Sequence, residues 1–323
     1  MNILVSGRLP EKVMLRLSKG NAVQDHGEDR PMTRRELLDS VGDKDGFLCM
    51  ITDKIDEELL NSGPRLKMIA NLAVGFDNID IEAVTARGIP VSNTPGVLTN
   101  ATADLTFALI LATARRLVEG DKRTRAGDFR FWAPLLFLGR DVSEKTLGII
   151  GLGRIGRAVV RRARGFDMNI LYHNRRRIKS HEENELGIKY VELKTLIEQS
   201  DFISLHVPLT DETHHIIGNK ELEMMKPEAY LINTSRGPVV DEKALFRALR
   251  KETIAGAGLD VYENEPSVTA GLKEMDNVIL LPHVGSATIE TRTKMGLKAA
   301  ENLLAGLRGE RPPDCLNWEN LNR

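Results

Sequence analysis

Three residues with cationic, acidic or basic side chains stand just past apolar runs in the second half of the chain. Arg236 lies in Asn233-Thr234-Ser235-Arg236-Gly237, Glu265 in Gly258-Leu259-Asp260-Val261-Tyr262-Glu263-Asn264-Glu265-Pro266, and His283 in Leu281-Pro282-His283-Val284-Gly285-Ser286. Ligands of open α/β sheets sit beyond the carboxyl ends of the strands, so each residue is placed where a ligand would be met. Each is commonplace alone: a strand-end arginine suits a surface ion pair, a glutamate before proline suits a turn, and a lone histidine suits a structural role. Together they suit one chemistry. Reduction of a 2-oxo acid takes a cation for the carboxylate, a hydride donor, and a proton donor for the developing alkoxide. Arg236 supplies the first and His283 the last. Glu265 orients His283 and favours its protonated form, because a neighbouring negative charge raises a histidine pKa.

The hydride donor is indicated upstream. Gly151-Leu152-Gly153-Arg154-Ile155-Gly156 follows an apolar run, 147–150, and opens a helix-like stretch, 154–165. That context makes a GxGxxG a dinucleotide fingerprint rather than a plain glycine turn. Gly151 permits the turn, Gly153 lets the backbone approach a pyrophosphate, and Gly156 lets helix and strand pack. The free N–H groups at the helix start bind phosphate. An NAD site usually shows Asp or Glu about 20 residues on, bonded to the ribose. Here the next strand ends at Asn174, followed by Arg175, Arg176 and Arg177. Asn does not repel a 2′-phosphate, and an arginine grips one through paired, charge-assisted bonds. NADP(H) is therefore the expected cofactor, with NAD(H) as the lesser one.

These residues need a scaffold that brings strand ends together. Short apolar runs at 3–5, 46–51, 66–71 and 89–92 alternate with helix-prone stretches such as 33–41 and 56–62. A second series runs through 147–150, 169–172, 202–207, 230–233, 256–261 and 278–281. Such alternation predicts parallel sheets with crossover helices. Between the two series, 101–118 is alanine-rich and free of Gly and Pro after its start, so one long helix is expected there, then a polar loop over 120–128. A last helix is expected over 287–307. The expected organisation is a dinucleotide-binding domain at 99–287, inserted into a substrate domain made of 1–98 and 288–323.

The bulk numbers exclude several classes. With 45 Lys+Arg against 46 Asp+Glu the formal net charge is −1, which gives no broad field for nucleic acid or an anionic membrane. Two cysteines, Cys49 and Cys315, make no disulfide framework and have no metal-ligand spacing, so no metal site is expected and a reducing compartment is favoured. The start of the chain reads as a strand and not as a signal peptide, and the longest apolar run is too short to span a bilayer. A cytoplasmic location follows as the expectation.

Taken together, GLGRIG at 151–156, HVPLT at 206–210, NTSRG at 233–237, GLDVYENEP at 258–266 and LPHVGSAT at 281–288 resemble the D-isomer-specific 2-hydroxyacid dehydrogenases, in order and spacing, over nearly the whole chain. The resemblance implies a Rossmann-type domain inserted into a flavodoxin-like one, with Arg236, Glu265 and His283 catalytic. It implies cofactor contacts from Leu152, Gly153, Arg154 and Ile155, from Arg175 to Arg177, and from Val207, Pro208, Thr213, Thr234, Ser235, Arg236, His283 and Gly285. It places Asp260 near the nicotinamide amide. Within Asn71-Leu72-Ala73-Val74-Gly75-Phe76-Asp77, it makes the backbone at Val74 and Gly75 the carboxylate loop, with Ser286, Arg236 and His283 also at the substrate. Glyoxylate/hydroxypyruvate reductases and 2-ketogluconate reductases are the members most similar, through Phe131-Trp132-Ala133-Pro134-Leu135-Leu136-Phe137-Leu138-Gly139 and the Asn-Arg-Arg after the second strand. The apolar Trp132 segment suits an interface, and a homodimer is expected. Two alternatives stay open: reduction of a larger sugar acid, and a dinucleotide-sensing corepressor-like protein, whose relatives keep the same Arg-Glu-His set.

Overall fold

The apolar runs pair side by side in two parallel sheets in the computed structural model, which describes residues 1–321; Asn322 and Arg323, within the expected second segment of the substrate domain, lie outside the described residues. The chain divides into two compact units, Met1–Leu98 with the segment from Ser286 onward, and Thr99–Gly285. The second unit thus ends two residues before the 287 expected from the sequence.

In the first unit, β1 (Asn2–Val5), β2 (Ala22–Asp25), β3 (Gly46–Cys49), β4 (Met68–Asn71) and β5 (Val91–Ser92) lie in the order β2-β1-β3-β4-β5. All pairs are parallel. This is the flavodoxin-like order. β3 and β4 are buried along their whole length, as strands covered on both faces must be. Helix Ile289–Leu307, capped by the Thr288 side chain accepting from Thr291 N, returns to this unit and packs on β3 and β4.

In the second unit, β6 (Thr146–Ile150), β7 (Asn169–His173), β8 (Ile188–Tyr190), β9 (Phe202–Leu205), β10 (Tyr230–Asn233), β11 (Gly256–Leu259) and β12 (Val278–Leu280) lie in the order β12-β11-β10-β9-β6-β7-β8. The pairs are again parallel. Counted from β6, this is the Rossmann order with one further strand, and its direction reverses between β6 and β9. One face of the sheet buries Ile203, Leu231 and Leu245, the other Ile149, Ile232, Val159 and Phe107. Each fully buried aliphatic side chain contributes about 1.5–3 kcal/mol.

Three expectations are corrected. The single helix at 101–118 is two: Thr99–Ala114 and Leu117–Arg125. Arg116 takes a left-handed φ of 53°, and Arg140 N donates to Ala114 O at 2.8 Å, occupying the carbonyl that would have continued the helix. The Arg116 guanidinium pairs with Glu119 at 2.8 Å and lies over the Phe137 ring at 4.2 Å, which holds the break. The expected polar loop at 120–128 is therefore largely helix. The edge strands β2 and β8 went unpredicted, because their sequences, AVQD and IKY, face solvent on one side and carry no apolar run. Finally, the strands beneath the site stop short. β9 ends at Leu205 rather than 207, β11 at Leu259 rather than 261, and β12 at Leu280 rather than 281. The residues that follow keep one backbone bond each to the neighbouring strand, His206 N to Ile150 O at 2.8 Å, Asp260 N to Asn233 O at 2.9 Å and Leu281 N to Leu259 O at 2.8 Å. Among the described residues, no helix is long and apolar enough to cross a membrane.

Candidate active site

The glycine loop joins β6 to helix Arg154–Ala163 at the point where the strand order reverses. Gly151 has φ 97°, and a Cβ there would stand 2.6 Å from the His206 carbonyl. A Cβ on Gly156 would stand 2.4 Å from Gly151 O. Both positions are closed to any larger residue by backbone. Gly153 differs: no atom lies within 4 Å of its absent Cβ. That open face, at the N-terminus of a ten-residue helix, fits a pyrophosphate. Arg154 and Ile155 form the first turn beside it. Val207 packs against Gly151 from the loop after β9.

Several residues expected at the cofactor are engaged elsewhere. Leu152 is in the core, and its N–H donates to Asn174 Oδ1 at 2.6 Å. Arg177 forms a bidentate pair with Glu183, at 2.8 and 2.7 Å, and lies over the Tyr190 ring. With Arg177 and the Tyr172 hydroxyl both donating to it, the Glu183 carboxyl is held down at about 2. Burial, aided by Glu183, pushes the Tyr172 phenol up to about 12. Arg177, although exposed like Arg175 and Arg176, therefore pins the loop, and the other two stand at its tip. Thr234 is buried, with its hydroxyl 2.8 Å from that of Thr106. Ser235 Oγ donates to Asn233 Oδ1 at 2.8 Å. Thr213 Oγ donates to Pro208 O at 2.6 Å and accepts from Thr210 N at 2.8 Å, which shapes the turn rather than leaving the side chain outward. Gly285 is buried, with its N–H on Asp260 and its carbonyl accepting from Thr102 Oγ at 3.1 Å.

The structure brings Glu265 and His283 together. Glu265 Oε2 lies 2.8 Å from His283 Nδ1, and Glu265 Oε1 accepts from Tyr262 N at 3.0 Å. Their side chains are 35% and 34% exposed, so the pair is reached by solvent on one side. Burial opposes ionisation of Glu265, but the His283 hydrogen bond and charge, Tyr262 N–H and the Arg236 charge outweigh it, and the carboxyl lies below its usual value. With Nδ1 turned to Glu265, Nε2 is the ring atom directed away from it.

His283 has a left-handed φ of 54°, a conformation costing a non-glycine residue about 1–2 kcal/mol. Asp260 imposes it. Its carbonyl accepts from His283 N at 2.9 Å, Oδ1 from Val284 N at 2.7 Å, and Oδ2 from Gly285 N at 2.7 Å. Asp260 is 1% exposed, and burial pushes its carboxyl up despite these bonds. The sequence placed Asp260 at the nicotinamide; in the structure both oxygens hold the histidine segment. Arg236 follows a turn set by Asn233, whose Nδ2 donates to Arg236 O at 2.9 Å, and its Nη1 donates to Ser235 O at 2.8 Å. Gly237, overlooked in the sequence, lets this turn meet the Glu265 loop: a Cβ would stand 1.8 Å from Tyr262 O. A glycine directly after a strand-end arginine was the available signal.

In the first unit, the loop after β4 has its acceptors satisfied internally. Asn93 Nδ2 donates to Val74 O at 2.7 Å, Asn71 Nδ2 to Gly75 O at 2.9 Å, and Thr94 N to Ala73 O at 2.8 Å. Asn71 and Asn93 were not singled out in the sequence, although asparagine just at or past a strand end commonly binds nearby backbone. Ser286 belongs to the same unit, where its carbonyl accepts from Thr288 N at 2.9 Å. Among the described residues, no cluster of three or more His, Cys, Asp or Glu is arranged to hold a metal ion.

Comparison with known proteins agrees with this geometry. Residues 107–285 match the family model for the D-isomer specific 2-hydroxyacid dehydrogenase, NAD binding domain. A glyoxylate reductase of Thermococcus litoralis is 51% identical over 323 residues, covering 99% of this chain and 97% of that one. Among solved structures, a protein from Thermus thermophilus superposes with a TM-score of 0.92 at 43% identity, over 98% of this chain and 100% of that one. An NADPH-dependent glyoxylate/hydroxypyruvate reductase from Sinorhizobium meliloti, in complex with NADP and malonate, superposes with a TM-score of 0.85 at 35% identity, over 98% and 96%.

Proposed function

The chain belongs to the D-isomer specific 2-hydroxyacid dehydrogenase family, and from that premise we propose that it reduces glyoxylate to glycolate and hydroxypyruvate to the D-2-hydroxy acid, with NADPH preferred over NADH. The observation that carries the reading is the Glu265–His283 pair at 2.8 Å, held on a clamped, left-handed segment. When bound, the reduced nicotinamide supplies the hydride to the substrate carbonyl carbon. His283 gives the proton at Nε2 to the oxygen that becomes the hydroxyl. Glu265, on Nδ1, orients the ring for that transfer. Arg236 holds the carboxylate of the 2-oxo acid and the polarised carbonyl. Val74 and Gly75 are assigned to the carboxylate through their amides, and Ser286 to the substrate.

For the cofactor, Gly153, Arg154 and Ile155 take the pyrophosphate, and Val207, Pro208 and the Thr234–Ser235 backbone line its path. The preference for NADPH rests on Asn174, Arg175 and Arg176. Asn174 has its oxygen on Leu152 N–H, so the group it has left to offer is an N–H donor, which suits a phosphate. The name of the Sinorhizobium meliloti protein supports the same cofactor. The arm from Phe129 to Leu138 supports a homodimer: Trp132 is 78% exposed and Leu135 84%. The two free cysteines suit a reducing, cytoplasmic setting. A panel of 2-oxo acids assayed with NADPH and NADH tests the reading. Oxidation of NADPH with glyoxylate or hydroxypyruvate is expected, and no turnover with any acid would overturn it.

A further inference from the structure

The loop that presents Glu265 is held at both ends by another carboxylate. Glu242, the first residue of helix Glu242–Arg250, is 2% exposed. Its Oε1 accepts from Glu263 N at 2.6 Å. Its Oε2 accepts from Thr269 Oγ at 2.6 Å and Thr269 N at 3.2 Å. Its own N–H donates to Glu263 Oε2 at 3.3 Å, and Glu263 Oε1 lies 2.9 Å from His215 Nε2. Between these two ends, Ser267 N donates to Asn264 O at 2.8 Å, closing a turn that carries Glu265.

Helix capping does not account for Glu242, because Asp241 already fills that role by accepting from Ala244 N at 2.9 Å. Nor does simple burial, since a carboxylate is costly to remove from water and is tolerated only where hydrogen bonds converge on it. Three donors from residues flanking Glu265 do converge here. Tyr262 and Val268 anchor the two sides of the turn in the core, whereas Asn264, Pro266 and Ser267 between them are exposed, so polar bonds set its tip.

We infer that Glu242 is a positioning residue for the proton-transfer pair: by gripping Glu263 and Thr269 it fixes the turn from which Glu265 reaches His283. This rests on the reading of Glu265 and His283 given above. Glutamine at this position keeps the shape but presents one oxygen and one NH2 group, so it satisfies the donors at only one end of the turn.

The experiment measures steady-state reduction of glyoxylate by NADPH and cofactor affinity by protein fluorescence for the wild type, Glu242→Gln, Glu265→Gln, the double variant, Thr269→Val and His283→Ala. An active wild type with an inactive His283→Ala establishes the underlying reading without reference to Glu242. Glu242→Gln is then expected to lower kcat about ten- to hundredfold, as small displacements of catalytic groups do, with KM and cofactor affinity changed less than about threefold. The double variant should be no slower than Glu265→Gln alone, because the one residue acts through the other. Thr269→Val, which removes a single donor, should show a smaller loss of the same kind, and it decides the matter if Glu242→Gln fails to fold. Wild-type kcat in these variants, or losses that multiply in the double variant, would overturn the inference. A wild type that reduces no 2-oxo acid would overturn the functional reading, and the inference with it.

Discussion

Replacing Asp260 by asparagine separates catalysis from stability. The aspartate holds Val284 N and Gly285 N at 2.7 Å each, and with its own carbonyl on His283 N it keeps that residue at φ 54°. Asparagine has the same shape but turns an NH2 group toward one of the two N–H donors. The loss of one charge-assisted hydrogen bond is worth about 1.5–3 kcal/mol. The left-handed conformation it offsets costs about 1–2 kcal/mol, so the segment relaxes in most molecules. At 1.36 kcal/mol per factor of ten, leaving that cost of about 1–2 kcal/mol uncompensated lowers kcat about five- to thirtyfold. Overall stability should move much less. Burial pushes the Asp260 carboxyl up, which means that the charged form is disfavoured there, and a neutral side chain escapes that cost. The unfolding midpoint is therefore expected to shift by no more than a few degrees. Steady-state kinetics with saturating cofactor, beside thermal unfolding followed by circular dichroism, reads both quantities. An unchanged kcat would refute the clamp. A collapsed melting temperature with normal turnover per folded molecule would show that Asp260 serves the fold alone.

Arg175→Asp is expected to reverse the cofactor preference, lowering kcat/KM for NADPH at least tenfold while sparing NADH; an unmoved ratio would remove Arg175 as the phosphate-binding residue. Glu265→Gln tests the pH dependence. The Glu265 carboxyl lies below its usual value, so the negative charge it places beside His283 is fully present above the ordinary carboxylate range and is lost only as pH falls through the depressed value. Glutamine carries no charge, so the acid limb of the kcat profile for reduction that this carboxyl sets should disappear. An unshifted limb would argue that Glu265 does not act on the ring. Changing both Trp132 and Leu135 to glutamate should convert a dimer to a monomer in sedimentation velocity; a wild type that already sediments as a monomer would refute the dimer.

Much of the site was legible before folding. The glycine spacing, the run of arginines after Asn174, and the strand-end Arg236, Glu265 and His283 are local patterns, and local patterns report sheet position and the chemistry of single side chains. Alternation of apolar runs with helical stretches was enough to give two parallel α/β units, because only crossover helices join parallel neighbours. The sequence could not say which polar groups were already engaged. Arg175 and Arg177 read alike in the chain, yet Glu183 and the Tyr190 ring hold Arg177 in place. Thr234, a cofactor contact by resemblance, also has its hydroxyl on Thr106 of a helix far away in sequence. Asp260, which the resemblance puts near the nicotinamide amide, has its two oxygens on the backbone beyond His283. The break at Arg116 depends on Arg140 reaching Ala114 O. The physical reason is common to all of these. Residue type and spacing determine what a group is able to bind, whereas the tertiary packing decides which partner reaches it and how much of its donor and acceptor capacity is left for a ligand.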